Sequence, residues 1–301
     1  MQSLIQTQIL DIPSASPAGP HVMRVQQAGD PQSEKVAICV HGLTRVSDDF
    51  LPLAARLVEQ GYRVLMPDVV GRGRSDWLKA PEHYHFGQYA ADVAQMARAL
   101  KLPPVDWIGT SMGGLMAMVA AGHPQRSAFF AGLTIRRLVL NDAGALLSGA
   151  ALDRIGAYVG ETPTFASLQA ARAQVRSRLV TFGSHTEEEW NFLTDVVLRE
   201  QADGHWRLHY DPSIAQPFKT ALLASSGPTA DVEFWPLYDA IECPTLLLRG
   251  AQSDLLPQSV AQAMTQRGPK AELIEFEGVG HAPTLLTEDQ MAPILAFLAK
   301  A

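Results

Sequence analysis

The chain has 301 residues, 47% of them apolar, with 23 glycines and 20 prolines; this excludes disordered and fibrous classes and allows one large core carrying a single insertion. Net charge is −7, from 24 Lys and Arg against 31 Asp and Glu, and no basic run could track a phosphate backbone, so a nucleic-acid partner is excluded. Cys39 and Cys243 have neither metal-ligand nor redox spacing and read as buried thiols.

From the start, Met1 to Pro20 lacks a basic start, an apolar run and a small-residue cleavage site, and no apolar stretch is long enough to span a bilayer. A cytoplasmic location with no membrane partner is the expectation. Two apolar alternations, Leu4 to Asp11 and Val22 to Gln27, flank the turn-rich stretch Pro13 to Pro20 and predict an antiparallel hairpin. Beyond it, short apolar runs bounded by Gly, Pro or Asp alternate with stretches of helical period, the pattern of buried parallel strands and crossover helices. Strands are predicted at Val36 to Val40, Tyr62 to Pro67, Val105 to Gly109, Arg137 to Asn141, Thr245 to Arg249 and Ala271 to Glu277. Helices are predicted at Asp49 to Gln60, His85 to Leu100, Met112 to Ala121, Ser259 to Arg267 and Glu288 to Ala299. This is the rhythm of a doubly wound α/β sheet.

The rhythm breaks between Asp142 and Trp235, where the chain is rich in Ala, Leu, Arg and Glu and no comparable strand run appears. A helical cap over 143–235 is expected there, inserted into a core made of 1–142 and 236–301. Gly, Pro and Ser rise again at Ser225 to Pro228 as the cap ends. No heptad or edge feature indicates a second copy, so the oligomeric state stays open.

Gly109-Thr110-Ser111-Met112-Gly113-Gly114 stands where an apolar strand meets a helical stretch. So sharp a turn forces its central residue into a strained backbone, and the flanking glycines keep Cβ atoms out of a crowded approach. Ser111 would project its hydroxyl above the sheet, and the Met112 N–H, at a helix start, would face developing negative charge. A serine hydroxyl needs a base, and the base needs an acid to fix its tautomer. His281, in the loop Gly278-Val279-Gly280-His281 after the last strand, is the predicted base. Asp254, four residues past Gly250 at the end of another strand, is the predicted acid, since a Gly-x-x-x-Asp loop lets the carboxylate turn back. Asp142, directly after the strand ending at Asn141, competes with it and is read instead as capping the entry to the insertion. The loop His41-Gly42-Leu43-Thr44 offers the Leu43 N–H as second oxyanion donor. Pro67 to Ser75 reads as a structural loop rather than a phosphate cradle, with Asp68 or Arg72 able to line the mouth.

The order His41-Gly42, Asp68-x-x-Gly71-x-Gly73-x-Ser75, Gly109-x-Ser111-x-Gly113-Gly114, Asp254 and Gly280-His281 resembles the α/β-hydrolase superfamily from Val36 to the C-terminus. The resemblance implies a mostly parallel eight-stranded sheet with an inserted helical cap, as in the bacterial branch of carboxylesterases, lactonases and C–C bond hydrolases. It also implies no metal and no organic cofactor, and a small-molecule substrate. Members with an aspartate nucleophile are excluded by Ser111. The expected activity is hydrolysis of an ester, thioester or lactone of a small to medium, partly apolar substrate through an acyl-enzyme. The alternatives are C–C bond hydrolysis by the same triad, and a non-catalytic binding protein.

The insertion holds Tyr158, Phe165, Trp190, Phe192, Trp206, Tyr210 and Phe218, with Trp235 at its exit. Most of these rings should pack the cap on the core. Trp190 and Tyr210, with His41 and Gly42 from the core, are the candidates for touching substrate. Arg172, Arg176 and Arg178 read as exposed helix arginines that could also greet an acidic substrate.

Overall fold

The structure, a computed structural model, describes residues 5–217 and 230–300. Leu4, Phe218 and the stretch Ser225 to Pro228 lie outside the described residues. An eight-stranded sheet is built from β1 (Gln8–Ser16), β2 (Gly19–Ala28), β3 (Val36–Val40), β4 (Arg63–Pro67), β5 (Val105–Thr110), β6 (Ile135–Asn141), β7 (Thr245–Gly250) and β8 (Glu272–Phe276), in the spatial order β1-β2-β4-β3-β5-β6-β7-β8. β1 and β2 pair antiparallel, as do β2 and β4. All other neighbours are parallel.

The side chains of the central strands alternate between two apolar layers, as the pleat requires. Val36, Ile38 and Val40 of β3 join one buried cluster, and Ala37 and Cys39 join the other. Leu138 and Leu140 of β6 and Leu247 of β7 follow the first; Val139, Leu246 and Leu248 follow the second. Helices α1 (Leu51–Glu59), α2 (Phe86–Ala99) and α3 (Met112–Gly122) cover the sheet, with α2 and α3 on the first face and α1 on the second. Each fully buried Leu or Ile contributes about 1.5–3 kcal/mol, and this double layer makes the sheet a rigid base for what stands at its carboxyl end.

The opening hairpin differs from its expected form. β1 runs on through Pro13, which pairs with Val22, and the turn shrinks to the residues between Ser16 and Gly19. β1 is the edge of the sheet, where a proline without an N–H removes no ladder bond that a neighbour needs.

Between β6 and β7 come α4 (Gly149–Gly156), α5 (Leu168–Arg178) and α6 (Glu187–Asp195). This region is not purely helical, contrary to expectation. A small antiparallel sheet orders Thr164–Phe165, Trp206–Leu208 and Leu198–Glu200 side by side, and Leu146–Leu147 pairs with Val232–Glu233. Strands of two or three residues are too short to show an alternation in sequence. A cluster of its own, with Ala171, Val175, Val197 and Leu198 packed against Val46 of the core, seats this region on the β3 loop. Two further helices, α7 (Gln258–Met264) and α8 (Glu288–Leu298), flank the C-terminal strands; α8 packs on the second face through Ile294 and Leu298. Among the described residues no helix is long and apolar enough to cross a membrane.

Candidate active site

Ser111 stands between β5 and α3 with φ 51° and ψ −114°, a conformation L residues rarely adopt. The neighbouring glycines make it possible. A Cβ on Gly109 would lie 2.4 Å from the Gly113 carbonyl, and one on Gly113 would lie 2.1 Å from the Val40 carbonyl oxygen. The Trp107 indole N–H donates to the Gly113 carbonyl at 3.1 Å, and the Ser111 N–H donates to the Asn141 carbonyl at 2.8 Å, which pins the turn to β5 and β6.

His281 reaches Ser111 from the loop after β8. Its Nε2 lies 2.9 Å from Ser111 Oγ, and its Nδ1 lies 2.6 Å from Asp142 Oδ2. The expectation that Asp254 orients His281 is therefore corrected: the partner is Asp142. Asp142 is fully buried and sits one residue past β6 with φ 51°. The Ser253 hydroxyl donates to its Oδ2 at 2.6 Å and the Gly250 N–H donates to its Oδ1 at 3.0 Å. These donors satisfy the carboxylate where water cannot, and fix its direction. Asp254 instead receives Arg154 Nε and Nη2 at 2.7 and 2.9 Å, an ion pair half open to solvent.

The His281 loop is held from the insertion. Thr181, in the turn Val180–Phe182 after α5, accepts from the Gly280 N–H at 2.6 Å, and its hydroxyl donates to the His281 carbonyl at 3.2 Å. A Cβ on Gly280 would lie 2.9 Å from Thr181 Cβ, so glycine is needed for this approach.

The β3 loop lies against the serine: a Cβ on Gly42 would be 3.8 Å from Ser111 Cβ. Neither the Leu43 nor the Met112 N–H has a hydrogen-bond partner among the described residues. Beneath the loop, Arg72 is fully buried and donates through Nε to the Leu43 carbonyl at 2.9 Å and through Nη1 to the Val70 carbonyl at 2.8 Å, with Nη2 3.5 Å from Met112 Sδ. Its guanidinium lies 4.9 Å from the Tyr89 ring centre, a cation–π contact. Arg72 and Asp68 are thus interior props rather than residues of the mouth: Asp68 is 1% exposed and accepts from the Ser47 and Arg74 N–H groups.

A cavity of about 310 Å³ opens over this group, with Leu43, Ser111, Met112 and His281 at its base and Leu152, Ile155, Phe182, Phe234 and Leu255 among its mostly apolar walls. Of the residues expected to touch substrate, Gly42 lines it and three do not. His41 is fully buried, with Nδ1 2.7 Å from the Gly42 carbonyl and Nε2 accepting from the Val69 N–H at 3.0 Å. Burial holds its imidazole below the ordinary range. Trp190 is buried edge-on to His185, with Arg176 5.0 Å from its ring centre. Tyr210 lines a smaller neighbouring chamber. Arg172 and Arg176 pair with Asp195 and Glu187, whereas Arg178 lines the cavity. Sequence reasoning weighed Asp142 as the competing acid and set it aside, and it missed Arg154 in the wall and Thr181 as the clasp of the His281 loop. Among the described residues no cluster of His, Cys, Asp and Glu has the form of a metal site.

The chain and its fold have counterparts. A family model described as alpha/beta hydrolase fold matches residues 36–286. The chain is 41% identical over 280 residues to the 3-hydroxybutyrate-oligomer hydrolase of Cupriavidus necator, covering 92% of each. It is 25% identical over 268 residues to the pimeloyl-[acyl-carrier protein] methyl ester esterase of Xanthomonas campestris, covering 86% of this chain and 92% of that one. The crystal structure of an alpha/beta hydrolase from Novosphingobium aromaticivorans superposes with a TM-score of 0.83 at 32% identity, covering 98% of this chain and 99% of that one.

Proposed function

The chain belongs to the α/β-hydrolase family, and from that premise we propose that it is an ester hydrolase working through an acyl-enzyme on Ser111, with linear esters of short hydroxy acids as substrates. The observation that carries this reading is the His281 ring, within hydrogen-bond reach of Ser111 Oγ at 2.9 Å on one side and of buried Asp142 at 2.6 Å on the other. His281 Nε2 takes the Ser111 proton as Oγ attacks the ester carbonyl, while Asp142 keeps the Nδ1–H tautomer and stabilises the imidazolium. The tetrahedral oxyanion is received by the Leu43 and Met112 N–H groups, the second backed by the α3 dipole. Collapse breaks the ester C–O bond, and His281 returns the proton to the leaving alcohol. Water, deprotonated by His281, then releases the acid and restores Ser111.

The substrate class rests on the relative that acts on 3-hydroxybutyrate oligomers and on a cavity that is small and apolar, which suits short methyl-branched chains. The test is turnover of 3-hydroxybutyrate dimer and of 4-nitrophenyl butyrate by wild type and by Ser111→Ala. A fall in kcat of about 10⁶-fold is expected from loss of the nucleophile. Equal turnover in both proteins would sink the acyl-enzyme, and turnover of the nitrophenyl ester without the dimer would sink the substrate class.

A further inference from the structure

The cavity above Ser111 is electrostatically one-sided. In a chain of net charge −7, its lining contains Arg45, Arg154 and Arg178 and, among the described residues, no Asp or Glu. The acids that pair with these arginines, Asp49, Asp254 and Glu161, stand outside the lining. Arg45 is held by Asp49 through Nε and Nη2 at 2.7 and 2.5 Å, as Arg154 is by Asp254, but it belongs to the loop after β3 and lays its guanidinium 6.0 Å from the Phe182 ring centre. The other two are placed differently. Arg154 lies near the end of α4 and Arg178 closes α5; Tyr158, in the turn that follows α4, is also in the cavity wall. The Arg178 guanidinium carbon is 5.7 Å from the Tyr158 ring centre.

These groups have donors to spare. Arg154 uses Nε and Nη2 on Asp254, and Arg178 uses Nη2 on Glu161, so Arg154 Nη1 and Arg178 Nε and Nη1 have no hydrogen-bond partner among the described residues. Burial raises the Tyr158 phenol above its ordinary range; the charges of Arg154 and Arg178 pull it down and that of Asp254 pushes it up. Two guanidiniums and a phenol lining one mostly apolar cavity make a receptor for a planar anion, since a carboxylate leaving water needs paired, charge-assisted donors.

We propose that Arg154, Tyr158 and Arg178 form a carboxylate subsite in the wall that the insertion contributes, so the enzyme selects esters carrying a free carboxylate. The proposal deepens the ester-hydrolase reading and rests on it for the identity of the scissile bond. In a linear hydroxy-acid oligomer the free carboxylate always lies on the alcohol side of every ester bond. The subsite therefore holds the leaving group: the ester C–O bond breaks, the acyl portion stays on Ser111 Oγ, and the departing alcohol, protonated by His281, carries the bound carboxylate away.

Binding to the Ser111→Ala protein, measured by titration calorimetry, separates this from catalysis. The ligands are 3-hydroxybutyrate dimer as the free acid and as its methyl ester. The acid should bind about tenfold more tightly than the ester, the worth of one or two charge-assisted hydrogen bonds. In Ser111→Ala carrying Arg178→Gln or Arg154→Gln, the preference should shrink to about twofold, with Arg178→Lys intermediate because it keeps charge and loses the fork. Equal affinity for acid and ester, no binding of the acid, or a preference that survives both glutamine variants would overturn the subsite. Thermal melts of each variant separate lost binding from lost fold. Wild-type turnover of 4-nitrophenyl butyrate reads the Ser111 chemistry independently: its absence, together with an intact acid preference, would overturn the acyl-enzyme and leave the subsite standing.

Discussion

Asp142→Asn and Asp254→Asn set the two carboxylates against each other. Asp142 is fully buried and accepts from His281, the Ser253 hydroxyl and the Gly250 N–H. Asparagine keeps its volume, but its amide presents a donor to His281 Nδ1, so the proton of the neutral imidazole moves to Nε2 and points at Ser111 Oγ. A base in the wrong tautomer accepts nothing, and the expected fall in kcat is about 10⁴-fold, or ~5.4 kcal/mol of transition-state stabilisation. Asp254 makes a half-exposed ion pair with Arg154, a contact worth ~0–1 kcal/mol. Its asparagine variant should keep kcat on a neutral ester within about fivefold of wild type. Initial rates on 4-nitrophenyl butyrate, with a thermal melt of each variant, decide the matter. A thousandfold loss in Asp254→Asn beside a near-normal Asp142→Asn would refute the assignment and the hydrogen-bond argument behind it.

Gly113→Ala places a Cβ 2.1 Å from the Val40 carbonyl oxygen, in backbone that cannot yield locally, and should cost about 1–3 kcal/mol or more by urea denaturation. A neutral result would contradict the close approach of β3 to the turn. Arg72→Met strips the donors from the Leu43 and Val70 carbonyls, each worth about 1–3 kcal/mol when left buried and unpaired, and should lower both stability and kcat on the neutral ester; wild-type kinetics in a destabilised fold would show that the β3 loop does not depend on it. His209 is pushed down to about 4 by burial and then by the charge of Arg199, whose Nε donates to its Nδ1 at 2.9 Å. The unfolded chain binds that proton first, so the contribution of His209 to stability is present above its ordinary value of 6.5 and is lost as pH falls toward 4. Histidine NMR titration should find this midpoint, raised in Arg199→Ala; a native midpoint near 6.5 would refute it.

Much of the fold was legible because strands buried on both faces are continuous apolar runs, and β3 to β8 fall within a residue or two of the expected bounds. Ser111 was conspicuous because its backbone demands glycines at fixed offsets, and His281 because only one histidine follows the last strand. Asp142 was hidden by its lack of a loop. It abuts β6 directly, whereas Asp254 follows a glycine loop that looked able to turn back. Lateral strand order decided between them: β6 lies between β5 and β7, so a carboxylate at its tip stands beside Ser111 while the β7 loop lends it the Gly250 and Ser253 donors. Local pattern does not encode which strands are neighbours. The rings of Trp190 and Tyr210 failed for a similar reason, since an aromatic residue in sequence has no direction, and theirs is set by Arg176, His185 and the small sheet around Trp206.

The turn Val180–Phe182 gives the cavity part of its wall and gives the His281 loop its anchor. For the proposed ester hydrolase, fit and turnover are consequently written in the same few residues. A change there that admits a bulkier substrate would also shift the imidazole proposed to receive the serine proton, and a ligand that presses Thr181 outward would loosen the His281–Ser111 contact. Selection acting on this turn cannot tune which esters enter without retuning how fast they leave.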